Sequence, residues 1–246
     1  MRFHVRAGLP AHVRALQNLP RRPRLSATSA AAQTEDKTKG FKMKDWNGNE
    51  QSVFKIIGAS NHLESEREES DYYATDPIAV DKLLSVVTPH NRIWECACGS
   101  GHLSERLTEK GFYVCSSDIK DRGYKRLSLL KDFLKATHSP FSCDFDILTN
   151  PPYKFAKEFV LKSLNLLPAG CRCFMFLKLT FLEGKARYEQ IFKTTPPKAI
   201  YVFSERVMCA KNGDFEGLKT SGGSAVAYAW FVWEKGYKGK TELSWI

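Results

Sequence analysis

From about Asp71 onward, short runs of β-branched and aromatic residues alternate with stretches that have the apolar spacing of helices. The runs predict strands at 92–96, 112–117, 145–149, 172–177 and 199–203. The stretches predict helices at 77–87, 102–110, 126–135, 154–167 and 184–193. This alternation is typical of a parallel sheet with crossover helices. We therefore expect an α/β fold, a Rossmann-like three-layer α/β/α sandwich.

The carboxyl-terminal part of the chain departs from this alternation. The apolar and aromatic stretch 225–233 follows a glycine-rich segment without an intervening helix, so we expect an antiparallel strand added to a mostly parallel sheet. The polar segment 206–223 before it contains Lys211 and Asn212. This segment is either a substrate-reading loop or a hairpin that links two strands.

The first 42 residues differ in composition from the rest. They are rich in Arg, Ala and Ser, contain no acidic residue before Glu35, and have no sustained apolar periodicity. We interpret 1–42 as a disordered or non-native extension: a mitochondrial-type transit peptide, a region upstream of a true start at Met43, or a cloning remnant. Residues 43–70 are a polar lead-in, and 71–246 are predicted to form the domain.

No apolar run approaches the roughly 20 residues that a membrane-spanning helix needs, and nothing resembles a secretory signal. We expect no membrane partner and a cytoplasmic protein, or a mitochondrial one if 1–42 is a transit peptide. The net charge is +10, but residues 1–42 hold nine Lys and Arg against Glu35 and Asp36. The remainder is only mildly basic, so charge alone does not identify the partner.

The seven cysteines, an odd number without an export signal, indicate reduced thiols. Two Cys-x-Cys pairs, Cys96/Cys98 and Cys171/Cys173, invite comparison with zinc sites. The spacing lacks the Cys-x-x-Cys form of most structural zinc knuckles, and both pairs lie on or beside predicted buried strands. We predict core packing for these residues and no metal site.

A glycine-containing loop, Ala97 to Gly101, follows the predicted strand at 92–96. Glycines permit a tight turn and close approach of a ligand at the carboxyl edge of a sheet, although an ordinary strand-to-helix turn is the alternative. The loop lacks the fingerprints for NAD or ATP. Asp118, about 20 residues on, can accept hydrogen bonds from ribose hydroxyls, or it caps a turn. Asp132 and Phe133 can contact an adenine ring, or they are a surface acid beside a core aromatic residue.

The most specific short motif is Asn150-Pro151-Pro152-Tyr153, directly after an apolar strand. The prolines stop the strand and leave carbonyl acceptors at its end. The Asn150 oxygen and the Pro151 carbonyl can accept both N–H groups of a planar amine and orient its lone pair. Tyr153 offers a flat face to a base that has left a helix. A rigid turn is the alternative.

These motifs together resemble those of the S-adenosylmethionine-dependent amino-methyltransferases. Glu95 to Gly101 resembles their motif I, Tyr73 to Pro77 their motif X, and the Asn-Pro-Pro-Tyr tetrapeptide their motif IV. The resemblance covers about 71–235. The segments Phe176 to Lys178 and Phe181 to Lys185 and the tail Trp230 to Gly236 look like those of phage and prophage DNA adenine methyltransferases, which implies a bacterial or phage origin. The resemblance implies S-adenosylmethionine as cofactor, with these binding residues: Tyr73, Thr75, Glu95, Ala97, Cys98, Gly99, Gly101, Asp118, Asp132 and Phe133.

The resemblance also implies the reaction. Asn150, Pro151, Pro152 and Tyr153 are the expected catalytic residues of an N6-adenine methyltransferase that flips its target base out of double-stranded DNA. The motif order resembles the gamma arrangement, in which target recognition follows the catalytic motif, so 206–223 becomes the candidate recognition loop. Lys178, Lys211 and Asn212 are the candidate substrate-binding residues.

Three alternatives stay open. An RNA N6-adenine methyltransferase and a protein-glutamine N5-methyltransferase use the same tetrapeptide. The glutamine enzymes usually carry a helical substrate domain before the glycine loop, and 43–70 is too short for one. A degenerate domain that only binds nucleic acid is the third alternative.

Overall fold

The computed structural model describes residues 72–211, 213–220 and 226–246. The predictions for 1–42 and 43–70 lie outside these residues. The described residues form these strands: β1 (Tyr73–Thr75), β2 (Arg92–Glu95), β3 (Tyr113–Asp118), β4 (Leu129–Leu130), β5 (Asp146–Thr149), β6 (Arg172–Lys178), β7 (Ala199–Val202), β8 (Cys209–Lys211), β9 (Tyr228–Glu234) and β10 (Glu242–Trp245).

Five described helices lie between some of these strands. They are α1 (Ile78–Leu84), α2 (His102–Glu109), α3 (Ala156–Leu166), α4 (Lys185–Arg187, continued by a π-helical turn at Tyr188–Phe192) and α5 (Phe215–Thr220). Short 3-10 turns occur at Phe133–Lys135, Tyr153–Phe155 and Leu179–Leu182. No helix of the described residues is long and apolar enough to cross a membrane.

Eight strands form one sheet in the order β10-β7-β9-β6-β5-β2-β3-β4. Within it β9 is antiparallel to both neighbours, and the other pairs are parallel. This confirms the mostly parallel sheet and the antiparallel strand expected at 225–233. From β2 the chain proceeds to β3 on one side, whereas β5 and β6 lie on the other. Ligands of open α/β sheets bind at such a reversal, outside the carboxyl ends of the strands.

Two apolar cores lie on opposite faces of the sheet. Alternate residues of one strand divide between them, as β9 shows: Phe231 and Trp233 belong to the core that α3 covers, and Trp230 and Val232 to the core that α1 and α2 cover. Side chains of successive strand residues point to opposite faces, so a strand between two helical layers must be apolar throughout. The predicted three-layer sandwich is confirmed.

A separate two-stranded ribbon joins distant parts of the chain. β1 pairs antiparallel with β8, and Thr75 lies opposite Cys209 in the register. The Asp76 N–H extends the ribbon by donating to the Met208 carbonyl at 3.0 Å. The Asp76 carboxylate then accepts the Ile78 N–H at 3.0 Å and starts α1. The ribbon therefore brings the segment before the glycine loop beside a segment that follows the Asn-Pro-Pro-Tyr tetrapeptide.

The predicted helix at 126–135 is wrong. Its residues form β4, which is parallel to the end of β3, and a 3-10 turn at Phe133–Lys135. The Ser128 and Lys131 N–H groups donate to carbonyls of Ser116 and Asp118 in β3 instead of to their own helix. Leu129 and Leu130 are exposed whereas Phe133 is buried, so the apolar residues of this segment do not share one buried helix face. The predicted helix at 184–193 is shorter and half π-helical.

Candidate active site

A cavity of about 850 Å³ opens at the carboxyl edge of the sheet, beside the reversal between β2 and β5. We call it the central cavity. Its size is within the range typical of small-molecule sites. Most of the residues predicted to bind a cofactor or carry the reaction line it: Tyr73, Thr75, Glu95, Ala97, Cys98, Asp118, Asp132, Phe133, Asn150, Pro151, Pro152 and Tyr153.

The glycine loop after β2 forms a tight turn. Gly99 and Gly101 have φ angles of +55° and +85°, values that side chains rarely permit. A Cβ atom on Gly99 would lie 1.9 Å from the Tyr72 ring, and one on Gly101 would lie 2.3 Å from the Tyr124 ring. Both glycines are therefore required by backbone conformation and by space, although neither lines the cavity itself.

Tyr72 covers this loop and was not predicted. Its hydroxyl accepts the Ser100 N–H at 3.1 Å and lies 3.3 Å from His102 Nδ1. The Arg122 guanidinium lies 4.6 Å from the centre of the Tyr72 ring, a cation–π contact. Tyr72, His102 and Arg122 all line the central cavity. Tyr72 thus contacts the loop directly, and His102 and Arg122 contact Tyr72. Burial lowers the pKa of His102, which favours its neutral form.

Glu95 ends β2 as a buried carboxyl group. Its side chain accepts a hydrogen bond from Ser104 Oγ, which also lies 2.6 Å from Ser116 Oγ. Burial raises the pKa of Glu95 to about 8, and the nearby charge of Asp118 acts in the same direction. Glu95 is therefore mainly protonated at neutral pH, a neutral polar group at the base of the cavity.

Asp118 ends β3 and ties the loops of two strands together. One carboxylate oxygen accepts the Gly99 N–H at 2.8 Å, and the other accepts the Lys120 N–H at 3.0 Å. Each oxygen has a further acceptor site, and the side chain lines the central cavity. Asp118 can thus bind a ligand hydroxyl while it supports the glycine loop.

Asp132 and Phe133 lie on the same side of the cavity as Asp118. Asp132 caps the 3-10 turn by accepting the Leu134 N–H at 3.0 Å. The Phe133 ring is buried and packs edge-on against Trp94 at 5.1 Å between ring centres. Asp132 therefore caps a turn and Phe133 belongs to the core, and both residues also line the cavity. Their contact with an adenine ring stays a prediction.

Asn150 follows β5 at the other side of the cavity, and its amide orientation is fixed. Its Nδ2 group donates to the Tyr73 carbonyl at 3.1 Å, to Thr75 Oγ1 at 2.9 Å, and approaches Cys209 Sγ at 3.4 Å. The Oδ1 atom is buried and accepts no hydrogen bond from the described residues. A buried acceptor without a donor is costly, so this oxygen is suited to receive a donor from a ligand.

Tyr153 begins the turn after the two prolines. Its ring stacks near Tyr228, with 6.1 Å between centres, and its hydroxyl lies 3.5 Å from Cys209 Sγ. Burial among these groups raises the pKa of Tyr153. Lys178, at the end of β6, places its ammonium group 4.9 Å from the centre of the Tyr153 ring. Lys178 does not line the central cavity but adjoins Tyr153 of the tetrapeptide.

Part of the segment 206–223 lies beside the cavity. The Lys211 backbone pairs with Tyr73 in the ribbon, and Phe215 of α5 packs edge-on against His102 at 5.6 Å between ring centres. Asn212 lies outside the described residues, as does the end of the segment. The described part therefore contacts the glycine-loop helix.

The Cys-x-Cys pairs are buried, and Cys96, Cys171 and Cys173 belong to the core that α3 covers. One group of possible metal ligands occurs within the described residues: His90, Asp146 and Cys171. There Asp146 accepts the backbone N–H groups of His90 and Arg172 at 2.8 and 2.6 Å, and the Arg172 guanidinium lies at 3.3 Å. Through these bonds Asp146 connects the start of β5 to the start of β6 and to the loop before β2.

No protein-family model matches the sequence, and a search of curated proteins found no match. Solved structures do match. A protein from Vibrio vulnificus described as the modification subunit of a type I restriction enzyme is 14% identical, with a TM-score of 0.48, over 80% of this chain and 50% of that one.

Two further structures give similar values. A 16S rRNA N2 methyltransferase from Thermus thermophilus, in complex with AdoMet and guanosine, is 15% identical with a TM-score of 0.44, over 70% of this chain and 45% of that one. An S-adenosylmethionine-dependent O-methyltransferase from Thermotoga maritima is 13% identical with a TM-score of 0.40, over 64% of each chain. The chain thus spans about half to two thirds of the length of these structures.

Proposed function

We propose that the protein is an S-adenosylmethionine-dependent methyltransferase that acts on an amino group, and that its substrate is the N6 amine of adenine in DNA. The observation that carries this proposal is Asn150: its amide is fixed by the ribbon, and its buried oxygen accepts no hydrogen bond from the described residues. An acceptor held in this way costs nothing to reorganise when an amine binds.

The residues of the central cavity fit the cofactor. Ala97 and Cys98 of the glycine loop and the carboxylates of Asp118 and Asp132 line the central cavity. They would hold the nucleoside, with Phe133 as an apolar wall. Tyr73 and Thr75 would adjoin its amino-acid portion. When bound, S-adenosylmethionine supplies an activated methyl group, so the protein needs no strong general base.

Asn150 and the Pro151 carbonyl would act on the acceptor. An exocyclic amine is a poor nucleophile because its lone pair is delocalised into the ring. Accepting both of its N–H groups orients the amine and favours its pyramidal form. Tyr153 would stack on the flipped base. Its own ring is held by Tyr228 and Lys178, so the stacking face is rigid before the base arrives.

Segment 206–223 is the proposed target-reading element. Base contacts rather than backbone contacts carry sequence specificity. This segment is polar, follows the catalytic motif, and packs through Phe215 against the first residue of the glycine-loop helix. Lys211 and Asn212 are its proposed substrate-binding residues, together with Lys178 beside Tyr153.

The test is methyl transfer from tritiated S-adenosylmethionine to three acceptors in parallel: DNA lacking adenine methylation, total RNA, and protein. Label in N6-methyladenine of DNA is the expected result. Label only in RNA, or only in glutamine side chains, would replace the substrate but keep the reaction class. Absence of transfer together with absence of cofactor binding by calorimetry would overturn the proposal.

Replacing Asn150 by Ala should reduce turnover by about 10²-fold or more, because one preorganised hydrogen-bond partner of the reacting group is lost. Cofactor affinity should change little. The matched control is Asn91→Ala, which removes an exposed amide before β2. If the Asn150 variant methylates DNA at the parental rate, the catalytic assignment is wrong.

A further inference from the structure

The orientation of the Asn150 amide depends on residues outside the catalytic tetrapeptide. An amide side chain can turn by half a rotation and exchange its oxygen and nitrogen, and its neighbours decide between the two. The groups around Nδ2 belong to one element, the ribbon: the Tyr73 carbonyl and Thr75 hydroxyl from β1, and the Cys209 thiol from β8. The carbonyl can only accept, so it holds the nitrogen on this side.

Cys209 contacts both proposed catalytic side chains through one sulfur atom. Its Sγ lies 3.4 Å from Asn150 Nδ2 and 3.5 Å from the Tyr153 hydroxyl. The residue is buried, and its register partner across the ribbon is Thr75, which also bonds to Asn150. Burial raises the pKa of Cys209, so the thiol keeps its proton and can both accept and donate.

We propose that Cys209 is a positioning residue of this active site: its thiol fixes the Asn150 amide and the Tyr153 hydroxyl relative to each other. The proposal rests on the proposed methyl transfer, in which both side chains act on one substrate base. It assigns the ribbon a role in the reaction, because the same strand that carries Cys209 belongs to the candidate recognition segment. The alignment of the Asn150 and Tyr153 side chains therefore depends on how segment 206–223 packs against the rest of the protein.

The test compares three substitutions that separate hydrogen bonding from packing. Cys209→Ser keeps a small group that accepts and donates, Cys209→Val keeps bulk without polarity, and Cys209→Ala keeps neither. The matched control is Cys171→Ala, which removes another buried thiol at the opposite edge of the sheet. Thermal unfolding of each variant measures the structural cost of losing a buried thiol.

Methyl transfer to adenine-unmethylated genomic DNA should show kcat reduced roughly 10- to 100-fold for Val and Ala, the size of effect expected from small misplacement of reacting groups. Ser should retain most of kcat, and the cofactor Kd should stay within about twofold in all variants. Cys171→Ala should lose stability but keep kcat. Equal kcat in Ser, Val and Ala would overturn the proposal.

A second measurement does not depend on activity. Hydrogen exchange of the Asn150 side-chain amide, followed by NMR, should be slow in the parent and in Cys209→Ser, and faster in Val and Ala. Equal exchange in all four proteins would overturn the positioning role even if methyl transfer is demonstrated. If the parent transfers no methyl group but the exchange pattern is as expected, the failure belongs to the proposed function and not to the contact.

Discussion

Some polar side chains of this protein both make hydrogen bonds that stabilise the fold and line the candidate site. Asp118 is the clearest case, because its two oxygens accept the N–H groups of Gly99 and Lys120 while the side chain lines the central cavity. Removal of such a group acts in two ways. A ligand loses an acceptor, and the glycine loop loses the bond that holds it near β3.

We therefore expect Asp118→Ala to weaken cofactor binding by about 1.5 to 3 kcal/mol, the usual cost of removing a charged hydrogen-bond acceptor. Asp118→Asn should lose less, because its amide oxygen still accepts one N–H. Asp121→Ala is the matched control, since Asp121 caps the Gly123 N–H in the same way but does not line the cavity. Calorimetry that finds unchanged affinity for Asp118→Ala would remove this residue from the site.

Glu95 makes stability depend on pH. The unfolded chain loses this proton near its ordinary pKa of 4.5, whereas the folded protein keeps it until about pH 8. The unfolded state therefore binds fewer protons in this window, and the free energy of unfolding should fall as the pH rises through it. Glu95→Gln should reduce this fall. Denaturant unfolding at several pH values between 4.5 and about 8 measures this fall, with the exposed Glu109→Gln as control. If the unfolding free energy has the same slope against pH in both variants, the burial effect is contradicted.

At the scale of elements, two short loops and one ribbon form the site, and the sheet only holds them. The glycine loop follows β2, the tetrapeptide follows β5, and these strands are adjacent although the chain between them includes β3 and β4. The ribbon of β1 and β8 contacts the tetrapeptide through Thr75 at Asn150, and Tyr72, the residue before β1, lies beside Gly99 of the glycine loop.

Replacing Gly99 by Ala tests the close approach of this loop to Tyr72. A side chain in the left-handed region costs about 1 to 2 kcal/mol, and the added Cβ would also displace the Tyr72 ring. Gly111→Ala is the control, because its φ is +89° but nothing lies within 4 Å of its Cβ position. Both variants should lose stability, and only Gly99→Ala should lose cofactor affinity. Equal affinity in the two variants would contradict a ligand role for the loop.

At the scale of the whole molecule, the predicted domain is 71–246, and the compositionally distinct residues 1–42 lie outside it, before the polar lead-in 43–70. We expect that deleting 1–42 leaves cofactor affinity, methyl transfer and the unfolding midpoint nearly unchanged, because the segment lacks a core-forming pattern. Calorimetry and thermal unfolding of the truncated chain measure this. A truncated protein that fails to fold would place the domain boundary earlier.

The local sequence predicted most of the sheet. β2, β3, β5, β6, β7 and β9 were expected within a few residues of their bounds, because a strand buried on both faces is a continuous apolar run. The glycine loop and the tetrapeptide were also identifiable, since glycines and prolines restrict the backbone wherever they occur. The resemblance to a family suggested the cofactor and the roles that we propose for single residues.

The tertiary structure decided what depends on distant pairing. β1 and β8 are three-residue strands about 130 positions apart. The sequence of neither strand predicts that it pairs with the other. Tyr72 and Cys209 contact residues that are distant in sequence, so nothing in their neighbouring residues predicts these contacts. The segment 126–135, predicted as a helix, contains β4 instead. Its N–H groups donate to β3 and not to carbonyls of its own segment, and the local sequence does not predict this pairing. The chain's pattern thus specified the layers and the loops at their edge, whereas the orientation of the Asn150 amide followed only from residues that folding brings together.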